Sequence, residues 1–374
     1  MTAMISSLFA SFAVPSDTHS LADGDVRKVY IVFSNHLDVG YTLNLNGSCA
    51  AAALNQYWEQ HVPKAIATAE AMRANGTDRY RWMCHSYIYA MARHCSTSPV
   101  SITGNGTSLL RCPNASTLAG FNAAARRGDV TWHAMPFNVE PEIMDASTFE
   151  AALQLTANED AIVGHAPRLT YNQRDVPGLS RASIPLLVKH GVRAVSVGEN
   201  GASAIVNVPP AFVWRDNATQ TEVLALFHAR GYGRRRQLHD RPPSGEAHDD
   251  DGDDDDDDAA KHASPRQLGI DRDQDCITVA SVGICLSWRG DNAGPHAEDE
   301  ARSIFAAVRS FFPNATVVAS DAFDDFVADV LPVLHTLPVV TAELGDTWIY
   351  GADADPLKVA KYRRCHARGP NPRT

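Results

Sequence analysis

The sequence predicts an α/β fold in which parallel strands alternate with helices and pack as a barrel. Short apolar runs rich in β-branched residues alternate with stretches whose apolar residues recur at helical spacing, which is typical of parallel strands joined by helical crossovers. Polar side chains directly follow several of the apolar runs, and the carboxyl ends of barrel strands are where functional groups collect. With 374 residues and 44% apolar content, the chain can bury a core of that size.

The predicted strands are short apolar runs bounded by turn-forming or polar residues. They cover residues 29–33, 80–83, 130–135, 169–171, 194–197, 223–227, 277–286 and 316–319. The predicted helices carry apolar residues at helical spacing, and the first ends at Asn75 and Gly76, a turn signal. The helices cover residues 50–74, 148–163, 181–190, 297–312 and 322–334.

One barrel domain is expected over residues 26–360, between an N-terminal segment, 1–25, and a C-terminal tail, 361–374. An acidic insertion interrupts the domain over residues 234–272. Its like charges repel each other and bury nothing, so we expect it to be disordered. A calcium site is the alternative, but a run of Asp lacks the spaced oxygens and turn glycine of a calcium-binding loop.

The net charge of −11 is largely a property of that insertion. Residues 249–251 and 253–258 are all Asp and supply nine negative charges, so the rest of the chain carries −2 (−11 + 9). This near-neutral remainder gives no sign of a nucleic-acid partner. No run of 18 apolar residues occurs, so a membrane span is not expected.

The cysteines and the glycosylation sequons indicate the cellular compartment. Seven cysteines form no CxxC pair, which argues against a zinc ribbon, and their odd number leaves at least one thiol unpaired. Six N-x-[ST] sequons favour a secretory route. They begin at Asn46, Asn75, Asn105, Asn114, Asn217 and Asn314. Residues 5–14 form a short apolar stretch, but no Lys or Arg precedes Arg27, so the N-terminus is a weak signal peptide. A cytoplasmic location is the alternative.

The most informative chemical feature is a histidine and an aspartate directly after the first predicted strand. His36 and Asp38 follow the apolar run that ends at Phe33, and the two-residue period of a strand places both side chains on one face. An imidazole and a carboxylate at a strand end suit zinc or another divalent ion. The alternative is a surface turn with a hydrogen-bonded His-Asp pair.

A second segment repeats this arrangement, with Asp175 at a strand-to-helix turn. The two turns resemble the α-mannosidases of glycoside hydrolase family 38, where H-x-D-x-G-[WY] closes the first strand and D-x-x-G-x-S supplies a metal-ligating carboxylate that is also the nucleophile. Residues 289–292 match the position of that family's G-D-D loop, and residues 345–350 match its G-D-F-F-x-Y motif. All four motifs occur in the order found in that family.

Four blocks are more similar still to an uncharacterised sister group, the domain-of-unknown-function family 5054. These blocks are residues 34–40, 127–133, 288–295 and 343–351. The resemblance covers about residues 26–360. It implies a seven-stranded-type (β/α) barrel of the glycoside hydrolase and deacetylase superfamily, with one zinc ion per chain and a carbohydrate substrate.

The resemblance implies that His36, Asp38 and Asp175 bind the metal and that Asp175 is also the nucleophile. A helix N-cap before Pro177 is the alternative role of Asp175. The family's fourth ligand is a histidine beyond the barrel. Within this chain His228, after the run 223–227, is the predicted substitute, with His85 as a second possibility.

The general acid/base is predicted to be Asp291, although capping of the turn before Pro295 is an equal alternative. The chain departs from the family pattern next to it, because Asn292 stands where resemblance would place the acid. An amide cannot donate and recover a proton at ordinary pH. Either Asp291 has the role, another carboxylate has it, or the step is lost. The other carboxylates considered are Glu140, Glu142 and Asp346.

Substrate binding is assigned to Trp288, Asp346 and Trp348. The indole rings of the two tryptophans can stack on a sugar ring. Trp132 is a further aromatic candidate, with a place in the core as its alternative. The predicted function is a zinc-dependent retaining glycoside hydrolase of α-mannosidase type. The alternatives are a metal-dependent carbohydrate deacetylase or other hydrolase, with Asp175 as base, and a non-catalytic carbohydrate-binding barrel.

Overall fold

A computed structural model describes most of the expected barrel domain. The described residues are 25–39, 49–76, 78–95, 110–176, 179–198, 200, 206–229, 231, 269–344, 357, 360, 361 and 364. The acidic insertion lies outside the described residues except for its last four, of which Asp271 caps a short helix. Asp346 and Trp348 also lie outside them.

Eleven strands form two sheets within the described residues. The first sheet contains β1 (Lys28–Asn35), β2 (Trp82–Cys84), β3 (Val130–Trp132), β8 (Cys276–Val279), β9 (Val282–Arg289) and β10 (Thr316–Ala319). The second contains β4 (Thr170–Arg174), β5 (Ala194–Gly198), β6 (Ala211–Asp216), β7 (Thr221–His228) and β11 (Val339–Val340). The orders are β3-β2-β1-β9-β8, with β10 also beside β1, and β11-β6-β7-β5-β4.

The predicted mixed α/β fold with parallel strands is confirmed. In the first sheet β9, β1, β2 and β3 are successive parallel neighbours, and in the second β4, β5 and β7 are. The sheets meet where the N–H of Ala134 donates to the carbonyl of Thr170 at 2.8 Å. Closure into a seven-stranded barrel stays a prediction.

Helices connect these strands and cover their outer faces. They are α1 (Cys49–Gln56), α2 (Val62–Ala74), α3 (Ser86–His94), α4 (Ala115–Arg127), α5 (Ala146–Val163), α6 (Ile184–Lys189), α7 (Arg272–Asp275), α8 (Glu298–Phe311) and α9 (Asp324–Val330). The side chains of Asn114 and Asp145 cap the N-termini of α4 and α5. These two helices end at Gly128 and Gly164, whose backbones are in the left-handed region. No helix among the described residues has the length and apolar character needed to cross a membrane.

Several sequence predictions of secondary structure need correction. The strand predicted over 277–286 is the antiparallel hairpin β8–β9, turning at Ala280 with φ +49°. Strand β6 and helices α3 and α4 were not predicted. The helix predicted over 50–74 is interrupted by a π-helical turn, Tyr57–His61, where Tyr57, Trp58 and His61 are buried. Helix α4 does carry start and stop signals in Asn114 and Gly128, whereas the hairpin turn at Ala280 has no Gly, Asn or Pro to mark it.

The side chains in the interior change from apolar to polar along the strands. One apolar cluster combines side chains from strands of both sheets, including Val32, Met83, Leu224 and Leu286. Towards the carboxyl ends of the same strands the buried residues become polar. This group includes Ser34, His36, His85, His133, Asn172, Arg174, Ser196 and His228. The candidate site lies at this polar end.

Candidate metal centre

Three of the predicted site residues come together at the carboxyl ends of three strands. His36 follows β1, Asp175 follows β4, and Asp291 follows β9, which is paired with β1 along its whole length. One potential ligand atom from each residue lies within 4.8 Å of those of the other two. His36 Nε2 is 3.6 Å from Asp175 Oδ2. An imidazole nitrogen and two carboxylate oxygens in this arrangement are suited to a divalent metal.

Asp175 is held in this position by its backbone and by a neighbouring amide. Its φ is +67°, a left-handed conformation that non-glycine residues rarely adopt outside functional or turn positions. Its N–H donates to the carbonyl of Gly198 at 3.1 Å, which continues the pairing of β4 with β5. Its Oδ1 accepts a 2.7 Å hydrogen bond from Nδ2 of Asn200, so Oδ2 is left facing His36. The side chain is only 23% exposed.

His36 is almost fully buried and is held from two sides. Its N–H donates to the carbonyl of Arg289 at 3.1 Å, which extends the β1–β9 ladder by one bond. Nδ1 lies 2.9 Å from Nδ2 of Asn138, in the loop after β3. The same amide reaches the end of β4, where Asn138 Oδ1 accepts from the N–H of Arg174 at 3.3 Å. Asn138 thus links the two turns that carry His36 and Asp175.

The structure does not place Asp38 in the three-residue group. Asn292 holds its backbone from both sides: Asn292 Oδ1 accepts from the Asp38 N–H at 3.2 Å, and Nδ2 donates to the Asp38 carbonyl at 2.7 Å. The half-buried Asp38 is close enough to raise the pKa of the buried Tyr57 hydroxyl, as does Asp291, although burial is the larger cause. Its assignment as a metal ligand stays a prediction.

Asn292 has a structural role for which an amide is needed. Its amide donates and accepts at the same time, which a carboxylate cannot do. Its N–H also donates to the carbonyl of His36 at 2.9 Å, and its carbonyl contacts Nε2 of His61 at 2.8 Å. Gly294, with φ +69°, lies against the His61 ring, where a Cβ would be 2.2 Å from Nδ1. Asn292 fixes the loop that presents Asp291.

The structure does not bring His228, the predicted fourth ligand, into the group either. Its Nδ1 lies 3.1 Å from Nη2 of Arg174. Arg174 is fully buried, and its nearby charge, after burial itself, lowers the pKa of His228 well below the ordinary value. Gly198 makes room for that guanidinium, since a Cβ there would be 2.2 Å from Nη1. A metal ion on His228 would face this fixed positive charge.

Trp288, a predicted sugar platform, is half-buried and has one face covered. The Arg174 guanidinium lies 4.6 Å from its ring centroid, a cation–π contact. Only the opposite face of the indole can serve a ligand. Trp132 is a core residue instead, because it is fully buried and its indole N–H donates to Asp160 Oδ1 at 2.7 Å.

His85 and His133 continue the histidine row across the neighbouring strands β2 and β3. The registers of β1, β2 and β3 place the residues that follow these strands side by side, and the His85 and His133 rings are 5.0 Å apart at nearly right angles. Burial lowers the pKa of His133 to about 3 and that of His85 well below the ordinary value. Neither is in the three-residue group, so the metal role considered for His85 gains no support. Glu140 and Glu142 lie half-buried in the loop after β3.

Asn138 and Asn200 were not singled out from the sequence, and neither were the hydrogen bonds that Asn292 makes to Asp38. All three asparagines lie in loops, where spacing carries no periodic signal. The only available clue was position, since each follows a predicted strand by a few residues. Their function as hydrogen-bonding partners of the turns that carry His36, Asp38 and Asp175 emerges only from the fold.

Comparison with known proteins agrees with the fold. No protein-family model and no curated protein sequence matches the chain. An α-mannosidase from Enterococcus faecalis V583 is similar in structure, with a TM-score of 0.55 and 16% identity over 85% of this chain and 31% of that one. A glycosyl hydrolase family 38 protein from Enterococcus faecalis gives a TM-score of 0.46 and 13% identity over 84% of this chain and 28% of that one. A 4-α-glucanotransferase from Thermococcus litoralis gives a TM-score of 0.44 and 8% identity over 92% of this chain and 47% of that one.

The chain spans about a third of the length of the first of these structures. At 16% identity the likeness shows a shared fold and does not by itself transfer an activity. Membership of the domain-of-unknown-function family 5054 stays a prediction, since no family model matches.

Proposed function

We propose that this chain is a zinc-dependent retaining glycoside hydrolase of α-mannosidase type. The observation that carries the proposal is the convergence of His36, Asp175 and Asp291 after three different strands, with ligand atoms within 4.8 Å of one another. The carboxyl ends of parallel strands are the usual place for an α/β active site. The fold shared with an α-mannosidase supports the same assignment.

The residues present fit a zinc ion. Two ligands about 2.1 Å from a tetrahedral zinc ion are about 3.4 Å apart, and His36 Nε2 and Asp175 Oδ2 are 3.6 Å apart. Asn200 fixes Oδ1 of Asp175, which orients the other oxygen towards His36. His36 and Asp175 would hold the ion, with Asp38 or Asp291 as the next ligand. Bound zinc would supply charge stabilisation and a grip on sugar hydroxyls.

Asp175 is assigned as the nucleophile that attacks the anomeric carbon. Asp291 is assigned as the acid that protonates the leaving oxygen and then, as base, activates the water that releases the sugar. Retaining enzymes hold their two carboxyl groups about 5–5.5 Å apart, whereas inverting enzymes leave about 6.5–9.5 Å for a water. One oxygen of Asp175 lies within 4.8 Å of one oxygen of Asp291, which is closer to the retaining spacing than to the inverting one.

Asp291 is also near enough to be a third metal ligand, and one experiment separates the two roles. Asp291→Asn should lose turnover on unactivated glycosides. If Asp291 is the acid, activity returns with aryl leaving groups that need no protonation, or with azide, while zinc content stays at the wild-type level. If it is a ligand, zinc content falls and neither substrate nor azide restores activity.

The proposal is tested by screening the zinc-loaded protein on nitrophenyl glycosides, with Asp175→Asn as the matched control. Turnover of an α-mannoside or related α-glycoside that is lost in Asp175→Asn supports it. Acetate release from acetylated sugars without glycoside turnover selects the deacetylase alternative. Sugar binding without any turnover selects the non-catalytic barrel.

We also propose that the protein follows the secretory route and is glycosylated. Two disulfides, Cys95–Cys112 and Cys276–Cys285, support an oxidising compartment, while Cys84 is a buried free thiol. Four sequon asparagines fall within the described residues, and all are exposed at helix ends or turns. They are Asn75, Asn114, Asn217 and Asn314. A mass shift after enzymatic removal of N-glycans from the secreted protein tests this.

A further inference from the structure

Asn138 occupies the side of His36 opposite the carboxylates, and its hydrogen bonds determine which ring nitrogen carries the proton. The backbone N–H of Arg174 can only donate, so the amide atom 3.3 Å from it must be Oδ1. The other amide atom, Nδ2, is then the one that lies 2.9 Å from Nδ1 of His36. An amide NH₂ can only donate, so Nδ1 must accept.

A neutral imidazole that accepts at Nδ1 carries its hydrogen on Nε2. Nε2 is the atom 3.6 Å from Oδ2 of Asp175, so the metal-free His36 directs its N–H at that carboxylate. This is the opposite of what a metal ion needs. Binding through Nε2 requires the hydrogen on Nδ1 and an acceptor beside it.

Asn138 cannot supply that acceptor without losing another bond. Turning the amide would present Oδ1 to His36 and would set Nδ2 against the Arg174 N–H, donor facing donor. Arg174 is fully buried, so its N–H has no access to bulk water in exchange. The loop cannot simply shift either, because Gln173 holds both backbone groups of Val139, at 3.3 and 2.7 Å.

We propose that Asn138 is a positioning residue that holds His36 in the Nε2–H tautomer and thereby weakens metal binding at this centre. This inference rests on the proposed function for its metal, but the tautomer assignment stands on the hydrogen bonds alone. Metal binding at His36 is coupled through one amide to the backbone of the residue before Asp175. An aspartate at position 138 would accept from both the Arg174 N–H and the His36 Nδ1–H, and would remove the conflict.

The tautomer is measured directly by long-range ¹H–¹⁵N NMR of metal-free protein labelled at histidine, with His36 assigned by its loss in His36→Gln. The wild-type spectrum should show His36 with its hydrogen on Nε2 and none on Nδ1, and Asn138→Asp should place a hydrogen on Nδ1. A wild-type His36 protonated on Nδ1 would overturn the proposal. This arm gives its answer even if the protein binds no zinc, in which case the proposed function fails separately.

Zinc affinity, measured by competition with a chelator, is the second readout. Asn138→Asp should bind zinc about 10-fold to 100-fold more tightly than the wild type, the range seen for partners of metal-binding histidines. Asn122→Asp is the matched control, since it adds the same charge on α4, where Asn122 contacts Tyr89. Affinity in Asn138→Asp that is equal to or weaker than that of the wild type contradicts the proposal.

Discussion

The side-chain amide of Asn292 pairs with both backbone polar groups of Asp38, accepting from its N–H at 3.2 Å and donating to its carbonyl at 2.7 Å. The two residues belong to the loops that follow β1 and β9, so this one side chain fixes both loops at the candidate metal centre. Asn292 is therefore a structural clamp between these two loops.

Replacing Asn292 by Asp should destabilise the protein and should not add a catalytic acid. The carboxylate cannot donate to the Asp38 carbonyl and would repel it, and loss of a buried partner costs about 1–3 kcal/mol. Chemical denaturation measures the free energy of unfolding, and the glycoside assay measures turnover. Unchanged stability combined with raised turnover would show that position 292 remains an acid site.

The left-handed backbone of Asp175 leads to a prediction about strain. Asp175→Gly should give a higher melting temperature than Asp175→Ala, because glycine adopts φ +67° without the steric cost that alanine meets. Both variants lose the same carboxylate, so the comparison isolates the backbone. Differential scanning calorimetry of the two metal-free variants provides the measurement. Equal melting temperatures would mean that the turn relaxes and holds no strain.

Buried histidines make the fold sensitive to acid. Burial lowers the pKa of five histidines among the described residues below the ordinary 6.5, to about 4 in His61 and about 3 in His133. The other three are His85, His228 and His296, whose pKa lies well below the ordinary value. Since the unfolded chain takes up protons below pH 6.5 and the folded chain does not, stability is full above pH 6.5 and is lost as the pH falls towards 4.

His133→Gln should make the free energy of unfolding depend less steeply on pH. Removing one titrating group lowers that slope by up to about 1.36 kcal/mol per pH unit. Both ring nitrogens of His133 lack a hydrogen-bond partner among the described residues, so the variant removes a titrating group without breaking a bond. Denaturation of wild type and variant from pH 4 to 8 supplies the slopes. Parallel slopes would show that His133 is protonated equally in the folded and unfolded chains.

The Cys95–Cys112 disulfide should contribute more to stability than Cys276–Cys285. The bridged residues are 17 and 9 apart in sequence, which in the chain-entropy description corresponds to about 3 and about 2.5 kcal/mol. Double serine variants of each pair, compared by denaturation, provide the test. Further, β8 and β9 remain paired by their ladder without the second bridge, so its loss is partly compensated. A larger loss for the Cys276 and Cys285 pair would contradict this order.

The sequence predicted the site residues that follow strands better than the loop residues that hold them in place. His36 and Asp175 could be assigned to one edge because each lies a few residues after an apolar run, and parallel strands bring their carboxyl ends together. Asn138 could not be assigned, since a loop amide has no period and its partners come from two other strands. The hairpin at Ala280 was missed for a similar reason: its turn has φ +49° but no Gly, Asn or Pro to mark it. The contact between His228 and the buried Arg174 could not be predicted either, because no spacing in the sequence indicates that Arg174 is buried; the ligand role of His228 stays a prediction.

The proposed function requires His36 and Asp175 to hold one metal ion together, and zinc stoichiometry tests this most directly. Purified wild-type protein, equilibrated with zinc and freed of excess, should retain about one ion per chain by elemental analysis. His36→Gln and Asp175→Asn should each lose that ion while keeping a cooperative unfolding transition. Wild-type protein without zinc, or either variant with full zinc content, would contradict the account.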